Sequence, residues 1–287
     1  MTNQEVINYI CEKLNAKNPS HNKKIAKSFI CYLKNISIND LYTSLYEKCN
    51  LNINKIDKLI KKINKSIPLE YLINEKYFLN NKFYVNKNVL IPRPETEEMV
   101  LEALSFLKTQ SINKKINVFD ICTGSGNIAI SIAKNYKANI YASDISFKVL
   151  KVARKNAKDL GANNITFLKG DFLKPFIKLN LKGDLIIINP PYISSKDRSV
   201  DYSTKNYEPK KALFTETGLE FYNIFFQNYH KIINNEGIIF LEFGYEQKKP
   251  IYDLMEKYIC LNKINYKFFK DTNKKDRFLF ISLKNNI

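Results

Sequence analysis

INVFDICTGSGNIAISIAKNY, residues 116–136, is the stretch from which the fold is read. Its first part, INVFDIC, reads as a buried strand, and its last part, IAISIAKNY, as a helical run. Between them lies the turn Asp120-Ile-Cys122-Thr123-Gly124-Ser125-Gly126. Glycines at such a junction let the backbone approach a ligand, and the helix that follows offers N–H groups with no partner of their own. Asp120, Cys122, Thr123, Gly124, Ser125 and Gly126 are therefore candidate cofactor-binding residues. Asp144 ends the next strand, placed to hold the two hydroxyls of a ribose. Gly124-x-Gly126-x-x-Ala129 also satisfies the dinucleotide fingerprint, so this element alone does not separate a nicotinamide cofactor from S-adenosylmethionine. At the end of a third strand, Gly170-Asp171-Phe172 adds Asp171 for an adenine amine and Phe172 for the ring face.

Outward from this turn the chain alternates strand and helix. NIYASD (139–144), TFLKGD (166–171), DLIIIN (184–189) and GIIFLEFG (237–244) read as further strands, and the tail YKFFK and RFLFISL adds two. That makes a seven-stranded, open and mostly parallel α/β sheet with ligands at the carboxyl ends of its strands. The insertion at 193–236 is long for such a connection; LEFYNIFFQNYHKII (219–233) should be helical and SSKDRSVDYSTKNYEPK (194–210) a functional loop. Upstream, residues 1–74 carry helical stripes only. Thr2 and Glu5 have capping-box spacing ahead of Val6, Ile7, Ile10, Cys11 and Leu14. Ile25 to Ile36, then Leu41, Leu45 and Cys49, then Ile53 to Ile63 give three more. Residues 75–93 form a joint with a hairpin, Tyr77 to Leu79 and Lys82 to Val85 around Asn80-Asn81, and the acidic run from Glu95 opens a helix. The expected division is a helical domain at 1–74, a hairpin joint at 75–93 and a catalytic domain at 94–287.

Composition narrows the class. The 287 residues are 45% hydrophobic, enough for a proper core, and no apolar run is long enough for a membrane span. Five scattered cysteines with no paired spacing exclude a disulfide scaffold, suggest no metal site, and point to a reducing cytoplasm. The net charge of +18 would suit an anionic partner, but only four of the 46 basic residues are arginine. Lysine drift alongside Asn and Ile explains the charge at least as well as nucleic-acid binding does.

Asn189-Pro190-Pro191-Tyr192 supplies the chemistry. It follows the apolar strand DLIII and so lies at the carboxyl edge beside the cofactor turn. Two prolines hold the chain stiff and leave carbonyls to accept, and Asn189 adds a side-chain carbonyl. Two acceptors facing one pocket can take both hydrogens of a planar NH2 group. An amide nitrogen is a poor nucleophile because its lone pair is delocalised, and holding both N–H bonds aims that pair at an electrophile. Tyr192 can stack on the flat substrate. Catalysis would be positioning and electrostatics with no covalent enzyme intermediate.

The Asn-Pro-Pro-Tyr motif resembles that of amino-methyltransferases, whose members act on adenine N6, guanine N2 or protein glutamine. VLIPRPETEEMV (89–100) resembles the signature of the release factor glutamine methyltransferases. The likeness continues through DICTGSGNIAI, SDIS, GDF, INPPYI, YEPKKALF, TGLEFY and LEFGYEQ. It implies a Rossmann-like S-adenosylmethionine-dependent methyltransferase domain behind a helical domain that recognises substrate. It implies methyl transfer to the glutamine N5 of the Gly-Gly-Gln motif of class I peptide-chain release factors by a monomer that needs no nucleic acid. In family terms Cys122 to Gly126, Asp144, Phe172 and Asn189 bind the cofactor, and Asn189 to Tyr192 hold the glutamine. Arg93, Pro94, Glu95 and Thr96 help wall the substrate pocket. Cys122 stands where the family usually has glycine, and Phe172 where it often has tryptophan. Glu208 and Glu242 lie in matching segments and read first as structural or loop-ordering. The rival readings are an adenine or guanine methyltransferase on RNA or DNA, and a nicotinamide-dependent oxidoreductase.

Overall fold

The computed structural model describes residues 1–15, 18–109 and 116–284. They form two compact units, one of Met1–Glu75 with Asp201–Tyr207, the other of Lys76–Val200 with Glu208–Ile287. The first is helical: α1 (Asn3–Lys13), α2 (Pro19–Lys34), α3 (Ile38–Thr43), α4 (Ile53–Asn64) and α5 (Leu69–Ile73). Thr2 and Glu5 close the expected capping box at the start of α1. Ile10, Phe29, Ile30, Leu41 and Ile56, one stripe per helix, are fully buried together in this unit's core. The third stripe is shorter than its periodicity suggests. α3 stops at Thr43, where the Thr43 and Ser44 hydroxyls both donate back to the Asp40 carbonyl, and Leu45 and Cys49 lie beyond it. Hydroxyls competing for helix carbonyls in this way favour an end over an extension.

The unit takes one helix from far along the chain, Tyr202–Tyr207, α10 in chain order. Its Ser203 and Tyr207 hydroxyls donate to the carbonyls of Ser66 (2.8 Å) and Lys65 (2.7 Å) just past the end of α4. Carbonyls at a helix end lack intrahelical donors, so these bonds satisfy groups that would otherwise need water.

In the second unit, the hairpin β1 (Glu75–Phe78) and β2 (Asn81–Tyr84) precedes α6 (Pro94–Thr109). The turn sits one residue earlier than expected, at Leu79-Asn80, because both take positive φ, 43° and 61°. Two consecutive positive φ values give the twist that a tight hairpin needs. There follow β3 (Asn117–Ile121), α7 (Asn127–Asn135), β4 (Asn139–Asp144), α8 (Phe147–Asp159), β5 (Ile165–Lys169), α9 (Lys174–Lys178) and β6 (Gly183–Ile188). The insertion holds the paired two-residue strands β7 (Ile193–Ser194) and β8 (Phe214–Thr215), and the helices α11 (Lys210–Leu213) and α12 (Glu220–Asn228). β9 (Ile233–Glu242), α13 (Lys248–Tyr258), β10 (Ile264–Lys270) and β11 (Asp276–Leu283) complete the unit. α12 ends well before the expected Ile233. Ile232 and Ile233 are instead buried in the core, the first accepting from Gly183 N and the second opening β9.

The sheet order is β10-β11-β9-β6-β3-β4-β5, parallel from β9 through β5, with β11 and β10 antiparallel at one edge. Its central strands are apolar on both faces, and neighbouring residues enter different cores. Leu185 and Ile187 join one core while Ile186 and Ile188 join the other; Ile238 and Phe240 part from Ile239 and Leu241 in the same way. Each such side chain, buried fully, contributes about 1.5–3 kcal/mol. The chain runs β3, β4, β5 to one side, then returns to place β6 on the other side of β3. That reversal opens a crevice at the carboxyl ends of β3 and β6. No described helix is long and apolar enough to cross a membrane.

One buried side chain ties the hairpin to the turn after β3. Asn156 of α8, 1% exposed, accepts from Tyr84 N at 2.7 Å and donates to the carbonyls of Tyr84 (3.0 Å) and Ser125 (2.8 Å). Asn156→Ala strands these groups and should cost about 2–3 kcal/mol, read as a lower urea midpoint with unchanged slope. A midpoint equal to wild type would refute the tie.

Candidate active site

The glycine turn is held from below by Asp120, which is fully buried. Its Oδ2 accepts from the Thr123 hydroxyl (2.6 Å) and from Ala129 N (3.0 Å), closing the turn between β3 and α7. Burial pushes its carboxyl up to about 7, against the pull of those two donors. Its Oδ1 has no partner among the described residues. Cys122, Gly124 and Gly126 all adopt positive φ, 66°, 55° and 83°. The first of these costs about 1–2 kcal/mol in an L-residue. The two glycines do different jobs. A Cβ at Gly126 would meet Ile130 Cδ1 at 2.9 Å and Ala153 Cβ at 3.2 Å, so Gly126 is required by helix packing; a Cβ at Gly124 would meet no protein atom within 4 Å.

Gly124 borders a cavity of about 360 Å³. Cys122, Thr123 and Ser125 share its wall with Asp144 after β4, and with Asp171 and Phe172 after β5. Asn189 and Pro191 come from the end of β6, and Arg93 and Thr96 from the start of α6. The cavity thus collects residues from four strand ends. Asp120, Gly126, Pro190, Tyr192, Pro94 and Glu95 are not among the lining residues. Asp120 and Gly126 lie beneath the turn, and Pro94 and Glu95 open α6 with proline in its first position. Asp144 accepts from Gly124 N (3.3 Å) and Ser146 N (2.9 Å), while burial raises its carboxyl above the ordinary value. Phe172 meets Phe221 of α12 edge to face at 4.9 Å, and Asp171 pairs with Lys174.

At the β6 end, Asn189 Nδ2 donates to Thr96 Oγ1 (3.1 Å), and the Thr96 hydroxyl donates to Glu242 Oε2 (2.7 Å). Thr96 is 2% exposed and Glu242 1%. Burial pushes the Glu242 carboxyl up to about 7, opposed by the Thr96 hydroxyl and by Arg277. Tyr192 packs against the core, its hydroxyl 3.4 Å from Glu242 Oε1, and burial raises its phenol. Glu208, buried, holds two parts of the wall together: its carboxylate accepts from Arg93 Nη2 (2.5 Å) and from Ile91 N (3.1 Å).

Sequence reasoning did not place Lys210 or Phe221 in the wall, although both line the cavity. It likewise left out Ile145 and Val149, apolar residues beside Asp144. Their sequence signal was position alone, at the mouth of a strand already assigned to the ribose.

These residues fit a nucleoside-bearing cofactor. The backbone at Gly124 leaves room for close approach, Asp144 brings carboxylate oxygens to the wall after β4, and Phe172 and Phe221 supply an aromatic wall. Ser143, also lining the cavity, has a buried hydroxyl with no partner among the described residues, which a polar ligand would satisfy.

Comparison with known proteins agrees with this arrangement. A family pattern described as a methyltransferase domain matches residues 112–275. The release factor glutamine methyltransferase of Mycoplasma mycoides is 40% identical over 80% of this chain and 81% of its own length. That of Thermodesulfovibrio yellowstonii is 39% identical over 82% and 84%. Among solved structures, a methyltransferase from Pyrococcus furiosus superposes with a TM-score of 0.50 at 17% identity, over 71% of this chain and 88% of that one, a likeness of fold. With a cavity built at the carboxyl edge of this sheet and relatives this similar along four-fifths of its length, the chain belongs to the release factor glutamine methyltransferases, enzymes that take their methyl group from S-adenosylmethionine.

Proposed function

We propose that this enzyme methylates the side-chain amide nitrogen of the glutamine in the Gly-Gly-Gln motif of class I peptide-chain release factors. The observation that carries the reading is the Asn189 carboxamide. Its nitrogen is engaged by Thr96, so its oxygen is left to accept, in the same cavity as Gly124 and Asp144. An acceptor so placed suits a substrate NH2 group. Relatives named release factor glutamine methyltransferase support a glutamine of a release factor as the acceptor.

Bound S-adenosylmethionine supplies a methyl group on a positively charged sulfur. Gly124 and Asp144 hold the nucleoside end, Phe172 packs against the base, and Asn189 accepts one amide hydrogen of the glutamine. The Pro190 carbonyl, expected from the sequence as a second acceptor, does not line this cavity, so the reading rests on the Asn189 oxygen. An amide nitrogen held by Asn189 would turn its lone pair toward the methyl group that S-adenosylmethionine would supply, and the sulfur would keep the electron pair of the bond given up. The nitrogen sheds one proton to water, so no strong base is required. Arg93, fixed by Glu208, stiffens the wall against which the substrate backbone lies. The helical unit recognises the body of the release factor, and the enzyme works as a cytoplasmic monomer without nucleic acid.

Incubation with labelled S-adenosylmethionine should label a recombinant release factor and leave a variant lacking the loop glutamine unlabelled. Equal labelling of both, or label entering RNA instead, would overturn the proposal. Asn189→Ala should lower kcat at least about 100-fold while its circular dichroism stays that of wild type. Asp144→Asn should weaken S-adenosylmethionine binding about tenfold or more by calorimetry.

The buried carboxyls also make a pH prediction. Asp120 and Glu242 titrate near 7 when folded, far above their values in the unfolded chain. Between about pH 4.5 and 7 the folded state therefore holds protons that the unfolded state has released, and stability falls as pH rises through that window. The urea midpoint should be higher at about pH 5.5 than at about pH 7.5, and Glu242→Gln should shrink the difference. A midpoint that rises with pH would contradict this assignment.

A further inference from the structure

We propose that Glu242, acting through the hydroxyl of Thr96, sets which end of the Asn189 carboxamide faces the cavity, so that Glu242 and Thr96 are positioning residues for the transfer. The inference rests on the reading of Asn189 as the acceptor of the substrate amide.

The argument is one of hydrogen-bond polarity. The three groups come from separate elements: Glu242 from β9, Thr96 from α6 and Asn189 from the end of β6. Above about pH 7 Glu242 is ionised and its carboxylate oxygens only accept, and a threonine hydroxyl has one hydrogen. At 2.7 Å that hydrogen goes to Glu242 Oε2, which leaves Thr96 able only to accept from Asn189. The Asn189 nitrogen, 3.1 Å away, must then face Thr96, and its oxygen must face the cavity. The two ends of a carboxamide are nearly equal in size, so shape alone does not choose between them. Turned over, Asn189 would set an NH2 group against the substrate's NH2 group, donor against donor.

The relay is sealed and its far end is anchored. Thr96 and Glu242 are almost wholly buried, so water does not compete for their bonds. The Tyr192 hydroxyl donates to Glu242 Oε1, and the Tyr222 hydroxyl, from α12, donates to the Glu242 backbone carbonyl at 2.9 Å. Tyr192 thus belongs to the same construction as Asn189, three residues before it, with its hydroxyl bracing the carboxylate.

Two substitutions at Thr96 separate polarity from packing. Val keeps the shape and removes the hydroxyl; Ser keeps the hydroxyl and removes a methyl group. With the full chain, S-adenosylmethionine and a release factor, Thr96→Val should lower kcat about 10- to 100-fold. KM for the release factor and the S-adenosylmethionine Kd should stay near wild type. Thr96→Ser should keep most of kcat. Glu242→Gln, which can turn an amide hydrogen toward Thr96, should also lower kcat without weakening the cofactor. Wild-type kcat in Thr96→Val, or a greater loss in Thr96→Ser, would overturn the relay in favour of packing. Should Thr96→Val fail to fold, wild-type kcat in Glu242→Gln would overturn it equally. A wild-type enzyme that leaves the loop glutamine unmethylated would instead overturn the functional reading, and the relay with it.

Discussion

A fully buried carboxyl, Asp120, holds the active end of this molecule in shape. The turn after β3 contains three residues of positive φ within five positions, and an unbraced backbone would not keep that path. Asp120 joins the two sides of the turn, gripping the Thr123 hydroxyl and the Ala129 amide with one oxygen. The cost is a carboxyl far from water and hard to ionise. The result is a turn beside the cavity whose geometry is set without a ligand, and a preformed site loses less entropy on binding.

The sheet turns that local device into a site. Because its central strands are apolar on both faces, helices cover both sides, and the strands' carboxyl ends become the open edge for polar chemistry. β3 supplies the glycine turn, β4 Asp144, β5 Phe172 and β6 Asn189, all lining one cavity. Adjacent parallel strands place such residues side by side without any long loop having to fold precisely. Asn189, Thr96 and Tyr192 are linked to Glu242 by hydrogen bonds of fixed direction.

Much of this was legible in the sequence because its causes are local. A two-faced apolar strand, a glycine turn and a Pro-Pro pair each announce a backbone requirement within a few residues. The errors came where a local hydroxyl bond, an unadvertised backbone conformation or a distant partner decided the outcome. The Leu41, Leu45, Cys49 stripe had the right period, but Thr43 and Ser44 closed the helix through their own hydroxyls. The hairpin turn slipped by one residue because Leu79 takes a left-handed conformation that its side chain does not advertise. Tyr202–Tyr207 joined the helical unit through hydroxyl bonds to carbonyls more than a hundred residues away, and no periodicity encodes that. The Thr96–Glu242 bond spans 146 residues; both residues stood in recognisable segments, yet nothing in either segment says they meet.

Cys122 puts a sulfur atom in the wall of a pocket built for an electrophilic methyl group. A thiolate there would compete with the substrate and become alkylated itself. Burial, with Asp144, Asp120 and Asp171 nearby, drives the thiol's ionisation well above its usual range. Only the thiolate is an effective nucleophile, so Cys122 stays chemically silent. Burial first, and the neighbouring carboxyls second, therefore keep Cys122 a neutral thiol in that wall.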